Sequence, residues 1–97
     1  MAYEILTFGG KDVLNINNIL TEKRDKFNTD NFKFERAHED ERNGNWIEDY
    51  TINGVDVSFV YNQGASELKI YLLSNFSSDR DHAKSALEKI LGMKLEN

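Results

Sequence analysis

The sequence predicts an α+β domain. The expected form is a two-layer sandwich, with two helices on one face of an antiparallel sheet of four to five strands, in the order β-α-β-β-β-β-α. Three observations carry this. First, Asn53-Gly54 stands between two alternating runs, Trp46, Glu48, Tyr50, Ile52 before it and Val55, Val57, Phe59, Tyr61 after it. A two-residue type I′ hairpin turn needs positive φ at both central residues, and Asn-Gly tolerates that best. Second, Ala83, Ala86, Leu87, Ile90 and Leu91 recur at helical spacing, and such a stripe needs a sheet face to cover. Third, 97 residues suffice for one domain with one modest core, so residues 1–97 read as a single unit without repeat or linker.

The first strand runs from Tyr3 to Phe8, with Tyr3 and Ile5 on one face and Leu6 and Phe8 on the other. Apolar residues on both faces predict an inner position in the sheet. Gly9-Gly10 ends the strand, and two readings follow. In one, Asp12 caps a helix to about Phe27 that places Ile16, Ile19, Leu20, Lys23 and Phe27 on one stripe. In the other, Gly9-Gly10 is a hairpin turn, Lys11 to Ile16 is a strand, and Asn17 or Asn18 caps a shorter helix. The longer helix is the preferred reading.

A turn cluster at 28–31 precedes a strand from Phe32 to about His38, in which Phe32 and Phe34 alternate with Lys33 and Glu35. A polar connection follows, with Asn43-Gly44 suited to a hairpin tip. Strands at about 46–52, 55–61 and 67–73 come next, the last two joined by a longer loop at 62–66. In the closing helix Ser78 is the expected cap, Asp81 answers the free amides, and Gly92 marks the stop. The face of the sheet away from the helices is expected to carry Lys33, Glu35, Glu48, Asp56, Ser58 and Lys69.

Net charge is −5, and there are no cysteines. Disulfides and thiolate metal sites are therefore excluded. No apolar run approaches the ~18 residues that span a bilayer, and no signal segment is visible, so the expected location is the cytoplasm. An acidic chain is poorly suited to releasing counterions from phosphates, so direct binding of nucleic acid or of an anionic membrane is not expected.

The reactive inventory is thin. Asp79 and His82 lie three apart on the last helix, but no further ligand converges and no H-E-x-x-H motif exists. No G-x-S-x-G elbow appears, and Ser77 and Ser78 read as helix-opening residues. Gly9-Gly10-Lys11 lacks the remainder of a phosphate loop, since Asp12 follows the lysine. The sequence therefore predicts a binding protein rather than an enzyme, with no catalytic, cofactor or metal residues.

The richest cluster is acidic. Glu35, Glu39, Asp40, Glu41, Glu48 and Asp49 lie on one strand, the connection after it and the next strand, with Trp46 and Tyr50 among them. Paired as a hairpin, the two strands gather these carboxylates near one end of the sheet. Carboxylates beside Trp46 and Tyr50 suit a partner with a basic surface, because aromatic anchors supply area and charges steer encounter. The competing structural reading makes the aromatics core residues and the carboxylates protectors of a sheet edge. The expected function is an inhibitor or antidote occupying the basic surface of a nuclease or other nucleic-acid enzyme. Anti-CRISPR proteins and immunity proteins of nuclease toxins are comparable in size and charge, although no motif of either is present. The alternative is a structural protein that self-associates through a strand edge, Tyr3–Phe8 or Glu67–Leu73, or through the outer sheet face; the expected state is a monomer or a homodimer.

Overall fold

The computed structural model describes residues 3–26, 29, 31–62, 64 and 66–95. The chain forms β1 (Tyr3–Gly9), α1 (Lys11–Lys23), β2 (Phe32–Asp40), β3 (Asn45–Ile52), β4 (Val55–Asn62), β5 (Glu67–Leu73) and α2 (Ser77–Leu91). The strands make one five-stranded sheet in the order β1-β5-β4-β3-β2, every neighbouring pair antiparallel. The predicted α+β class and element order are therefore those observed.

The Asn53-Gly54 turn forms as expected, with φ of 51° and 78° at its two residues. It sets a register in which Tyr50 faces Val57 and Trp46 faces Tyr61. The residues at 41–44 make the second hairpin tip, where Gly44 has φ of 69°. Residues 11–16 are helical, so the strand alternative for them is not realised. Helix formation there buries Ile16 and Leu20 completely. Phe27, the last residue of the predicted stripe, lies outside the described residues.

Burial alternates strictly along β4 and β5. Val55, Val57, Phe59 and Tyr61 on β4, with Leu68, Ile70 and Leu72 on β5, point into the core beside Leu6 and Phe8 of β1 and Tyr50 and Ile52 of β3. Ile16, Leu20, Ala83, Leu87 and Leu91 cover them from the helices. Among the described residues, no helix covers the opposite face of the sheet.

Several expectations need correction. β1 is an edge strand, as the self-association alternative expects and not inner as its apolar faces predict, and β5 is internal between β1 and β4, not an edge. The apolar outward residues of β1 misled because the open face has its own apolar strip. Tyr3 and Ile5 lie opposite Leu73 and Tyr71, and the Tyr3 and Tyr71 rings sit 6.1 Å apart. Neither predicted cap forms. Gly10 with φ of 60° precedes α1 and Asp12 lies within its first turn, while Phe76 precedes α2 and Ser78 is helical; neither cap position bonds through a side chain. Gly92 does close α2 in the left-handed region, its N–H donating to Glu88 O at 2.8 Å. Beyond it, Leu95 returns to the core, fully buried, and its N–H donates to Glu88 Oε2 at 2.8 Å.

Candidate functional site

β2 carries one extra residue between Phe34 and Arg36, a bulge that leaves Glu35 without a cross-strand partner. Before it, Phe34 pairs with Tyr50 on the helix face; beyond it, Arg36 pairs with Asp49 and Glu39 with Trp46. The bulge therefore shifts the phase of β2, and the predicted interface residues divide between the two faces of the sheet.

Glu35 stays on the open face, where its Oε1 accepts from Thr51 Oγ1 at 3.2 Å and lies 4.0 Å from Lys33 Nζ. Asp49 is on the same face. It pairs with Arg36 Nε at 2.9 Å, accepts from Ser58 Oγ at 2.6 Å, and has His38 Nδ1 3.9 Å away. Hydroxyl, carboxylate and imidazole come together here, but the carboxylate stands between the other two. That is not the order in which an imidazole takes a proton from a hydroxyl. Lys33, Asp56, Ser58 and Lys69 also belong to the open face, as predicted.

Glu48 does not. It is 3% exposed and lies on the helix face, which overturns its assignment to the outer surface. Trp46, Glu48 and Tyr50 alternate along β3 and so share one side of the sheet. Glu48 Oε2 accepts from Trp46 Nε1 at 3.0 Å and meets Arg24 Nη1 at 3.4 Å; Oε1 accepts from the Tyr50 hydroxyl at 2.9 Å. Arg24, at the end of α1, also stacks over the Phe34 ring at 4.9 Å. A buried carboxylate is tolerated only when paired and hydrogen-bonded, and these three donors meet that requirement.

Burial holds the Tyr50 hydroxyl well above the usual tyrosine range; the Glu48 charge and its hydrogen bond push the same way, and Arg24 opposes them. Tyr61 is raised as well, by burial first, then by the charges of Glu48 and Tyr50. Both phenols are therefore neutral, and Tyr50 donates to Glu48. The Tyr61 hydroxyl is buried without a hydrogen-bond partner among the described residues.

Glu39, Asp40 and Glu41 form the last group, at the β2–β3 hairpin tip. Glu39 and Glu41 are exposed, and Asp40 accepts from Asn43 Nδ2 at 2.8 Å. Trp46 sits opposite Glu39 and is 36% exposed. Of the predicted patch, then, the structure keeps Glu39, Asp40, Glu41 and Trp46 at one end, sends Glu35 and Asp49 to the open face, and turns Glu48 inward. The sequence reading missed Arg24 and Tyr61. Phase along β4 places Tyr61 beside Trp46, but nothing in the sequence brings Arg24 to Glu48.

Asp79 and His82 lie exposed on α2, and no three His, Asp or Glu side chains among the described residues are placed to hold a metal ion. No helix among the described residues is long and apolar enough to cross a membrane. Compared with protein-family models, curated proteins and solved structures, the chain matches none of them.

Proposed function

We propose that this chain is a small acidic protein-binding module, an inhibitor or antidote that blocks a nucleic-acid enzyme by contacting its basic surface. The observation that supports this best is the hairpin tip. Glu39 stands opposite the partly exposed Trp46 there, half-buried Asp40 and exposed Glu41 follow it at the tip, and Arg42 is the one basic residue among them. Exposed carboxylates raise the association rate with a basic partner, and an adjacent aromatic supplies an anchor that excludes water. An enzyme that holds phosphates presents the complementary charge.

Affinity capture from native host cells at several salt concentrations tests the reading. The expected result is retention of a nucleic-acid enzyme whose binding weakens steeply with salt and is lost when Glu39→Gln, Asp40→Asn and Glu41→Gln are combined. Retention that is insensitive both to salt and to the triple substitution overturns it.

A second reading, self-association, is favoured by one specific observation: the half-buried strip of Ile47, Val60, Tyr71 and Leu73 on the open face of the sheet. The charges around this strip are largely self-neutralised, through Arg36–Asp49, Lys33–Glu35 and Lys69–Glu67. A near-neutral apolar face suits a second copy better than a basic partner. Light scattering separates the readings. A dimer dissociated by Val60→Lys supports assembly, and a monomer at high concentration removes it.

A further inference from the structure

The helix face is not closed at the hairpin end of the sheet. Asn17, Thr21 and Arg24, on one side of α1 and at its end, stand across from Trp46, Glu48 and Tyr61 around a hollow of about 350 Å³. A second hollow of about 310 Å³ adjoins it, sharing Asn17 and Tyr61 and bordered by Leu14, which is 63% exposed.

The hydrogen-bonding capacity around the first hollow is unevenly used. Among the described residues, Glu48 Oε2 accepts from both Arg24 and Trp46, whereas Oε1 accepts from Tyr50 alone. A carboxylate oxygen has two lone-pair directions, so Oε1 retains one. A guanidinium has five N–H donors; Arg24 turns toward Glu48 and the neighbouring Tyr50 hydroxyl and keeps further donors for a ligand. Tyr61 is 7% exposed, and its hydroxyl has no partner among the described residues. Acceptor and donor capacity therefore meet around one hollow, and the buried Tyr61 hydroxyl is the group there that is costly to leave unpaired.

Charge then selects among ligands. Arg24 and Glu48 cancel, so the site has no net charge to offer. A phosphate or carboxylate is repelled by Glu48 and can only accept. An ammonium is repelled by Arg24 and can only donate. A hydroxyl donates once and accepts twice, so one ligand atom can serve Glu48 Oε1 and the spare donors together. The Trp46 indole, pinned by its bond to Glu48, supplies a flat apolar wall.

We propose that this hollow binds an uncharged, hydroxyl-rich ring, the chemistry of a neutral sugar. The ring packs a C–H face on Trp46 and directs vicinal hydroxyls toward Tyr61, Glu48 and Arg24, with Asn17 and Thr21 at the rim. The site shares Trp46 with the proposed partner surface but uses none of the hairpin carboxylates Glu39, Asp40 and Glu41.

Nuclear magnetic resonance titration of the full chain tests this. The probes are glucose, galactose, mannose and N-acetylglucosamine, neutral oligosaccharides of each, and glucose 6-phosphate, glucosamine and adenosine for comparison. The expected result is a saturable shift of the Trp46 indole N–H and the Asn17 carboxamide with at least one neutral sugar, at a Kd on the order of 1 mM. Tyr61→Phe removes only the hydroxyl, and it is expected to weaken binding about three- to tenfold. Asn17→Ala, at the helix surface, is expected to weaken it in the same direction. Saturation by single rings identifies a free sugar as the ligand; saturation by the oligosaccharides alone identifies the end of a glycan. Absence of a saturable shift with any neutral sugar up to about 100 mM overturns the proposal. So does tighter binding of glucose 6-phosphate, glucosamine or adenosine, or an affinity unchanged in Tyr61→Phe.

Discussion

The Trp46 indole N–H donates to Glu48 Oε2 at 3.0 Å, two residues along the same strand and on the same side of the sheet. A tryptophan and a glutamate that read as parts of an acidic outer patch are thus the start of an internal polar network. Arg24 and Tyr50 complete it. Trp46, Arg24 and Tyr50 each donate to the same carboxylate, so the stability of the network depends on that carboxylate more than on any one donor.

Glu48→Ala is therefore expected to be the most destabilising single change in the network, at about 3 kcal/mol, because it leaves the Arg24 charge and the Tyr50 and Trp46 donors without their acceptor. Glu48→Gln keeps the shape and two acceptor directions, and its expected cost is smaller. Arg24 is partly exposed, so solvent screens its charge and Arg24→Met should cost less than Glu48→Ala. Urea unfolding of the three variants gives the order, and equal midpoints for Glu48→Ala and the parent chain would show that the network carries no stability.

Tyr61 offers the opposite case. Its hydroxyl is buried and unpaired among the described residues, so removing it takes away a desolvation cost and no hydrogen bond. Tyr61→Phe is expected to leave stability unchanged or raise it by up to about 1 kcal/mol. A thermal melt reads this directly, and a loss of more than about 1 kcal/mol would mean that the hydroxyl is satisfied in solution.

The two buried phenols also set an alkaline limit. Tyr50 and Tyr61 are both raised in the folded protein, chiefly by burial, while the unfolded chain ionises them near the ordinary value of about 10. Above that pH the unfolded state holds fewer protons than the folded one, so stability falls as pH rises; below it the contribution is fully present. Unfolding is expected to set in at lower urea concentration above about pH 10, and tyrosinate absorbance from these two residues should appear only with unfolding. In the Tyr61→Phe variant the alkaline loss should be shallower. A urea midpoint that stays constant through this range would contradict the buried, neutral state of both phenols.

Much of the fold was legible because local chemistry and long-range pairing agree in it. Asn53-Gly54 fixes the β3–β4 register, and the period along β4 and β5 names the core residues of both strands. The same period contained the answer for Glu48. It alternates in phase with Trp46, Tyr50 and Ile52, three aromatic or aliphatic residues, so phase alone places it inside; its charge argued for the surface, and phase won because Arg24 arrives to pair it. Arg24 lies on a helix end 24 positions away, and its approach depends on how α1 crosses the sheet, which no local pattern specifies. The division of Glu35 from Glu39 is similar. One extra residue in β2 reverses every side chain after it, and bulges leave little trace in a short charged strand. The sheet order was hidden for a related reason: Tyr3 and Ile5 read as buried because they are apolar, whereas they belong to an apolar strip on an uncovered face.

Leu95 provides a last test, one that concerns the segment after α2. A chain that has passed its Gly92 stop has no periodic signal left, yet Leu95 is fully buried against the core and its N–H is held by Glu88 of the preceding helix. The two contacts act together. The hydrogen bond fixes the backbone just beyond the left-handed Gly92, and that turn returns the leucine to the core. Leu95→Ala is expected to cost about 2–4 kcal/mol through the cavity it leaves, in the range of a core position and not of a terminus. Glu88→Ala, which releases the segment without altering the core side chain, should cost about 1 kcal/mol and speed amide exchange at Leu95. If Leu95→Ala unfolds at the same urea concentration as the parent, the segment is not docked in solution and the core ends with Leu91.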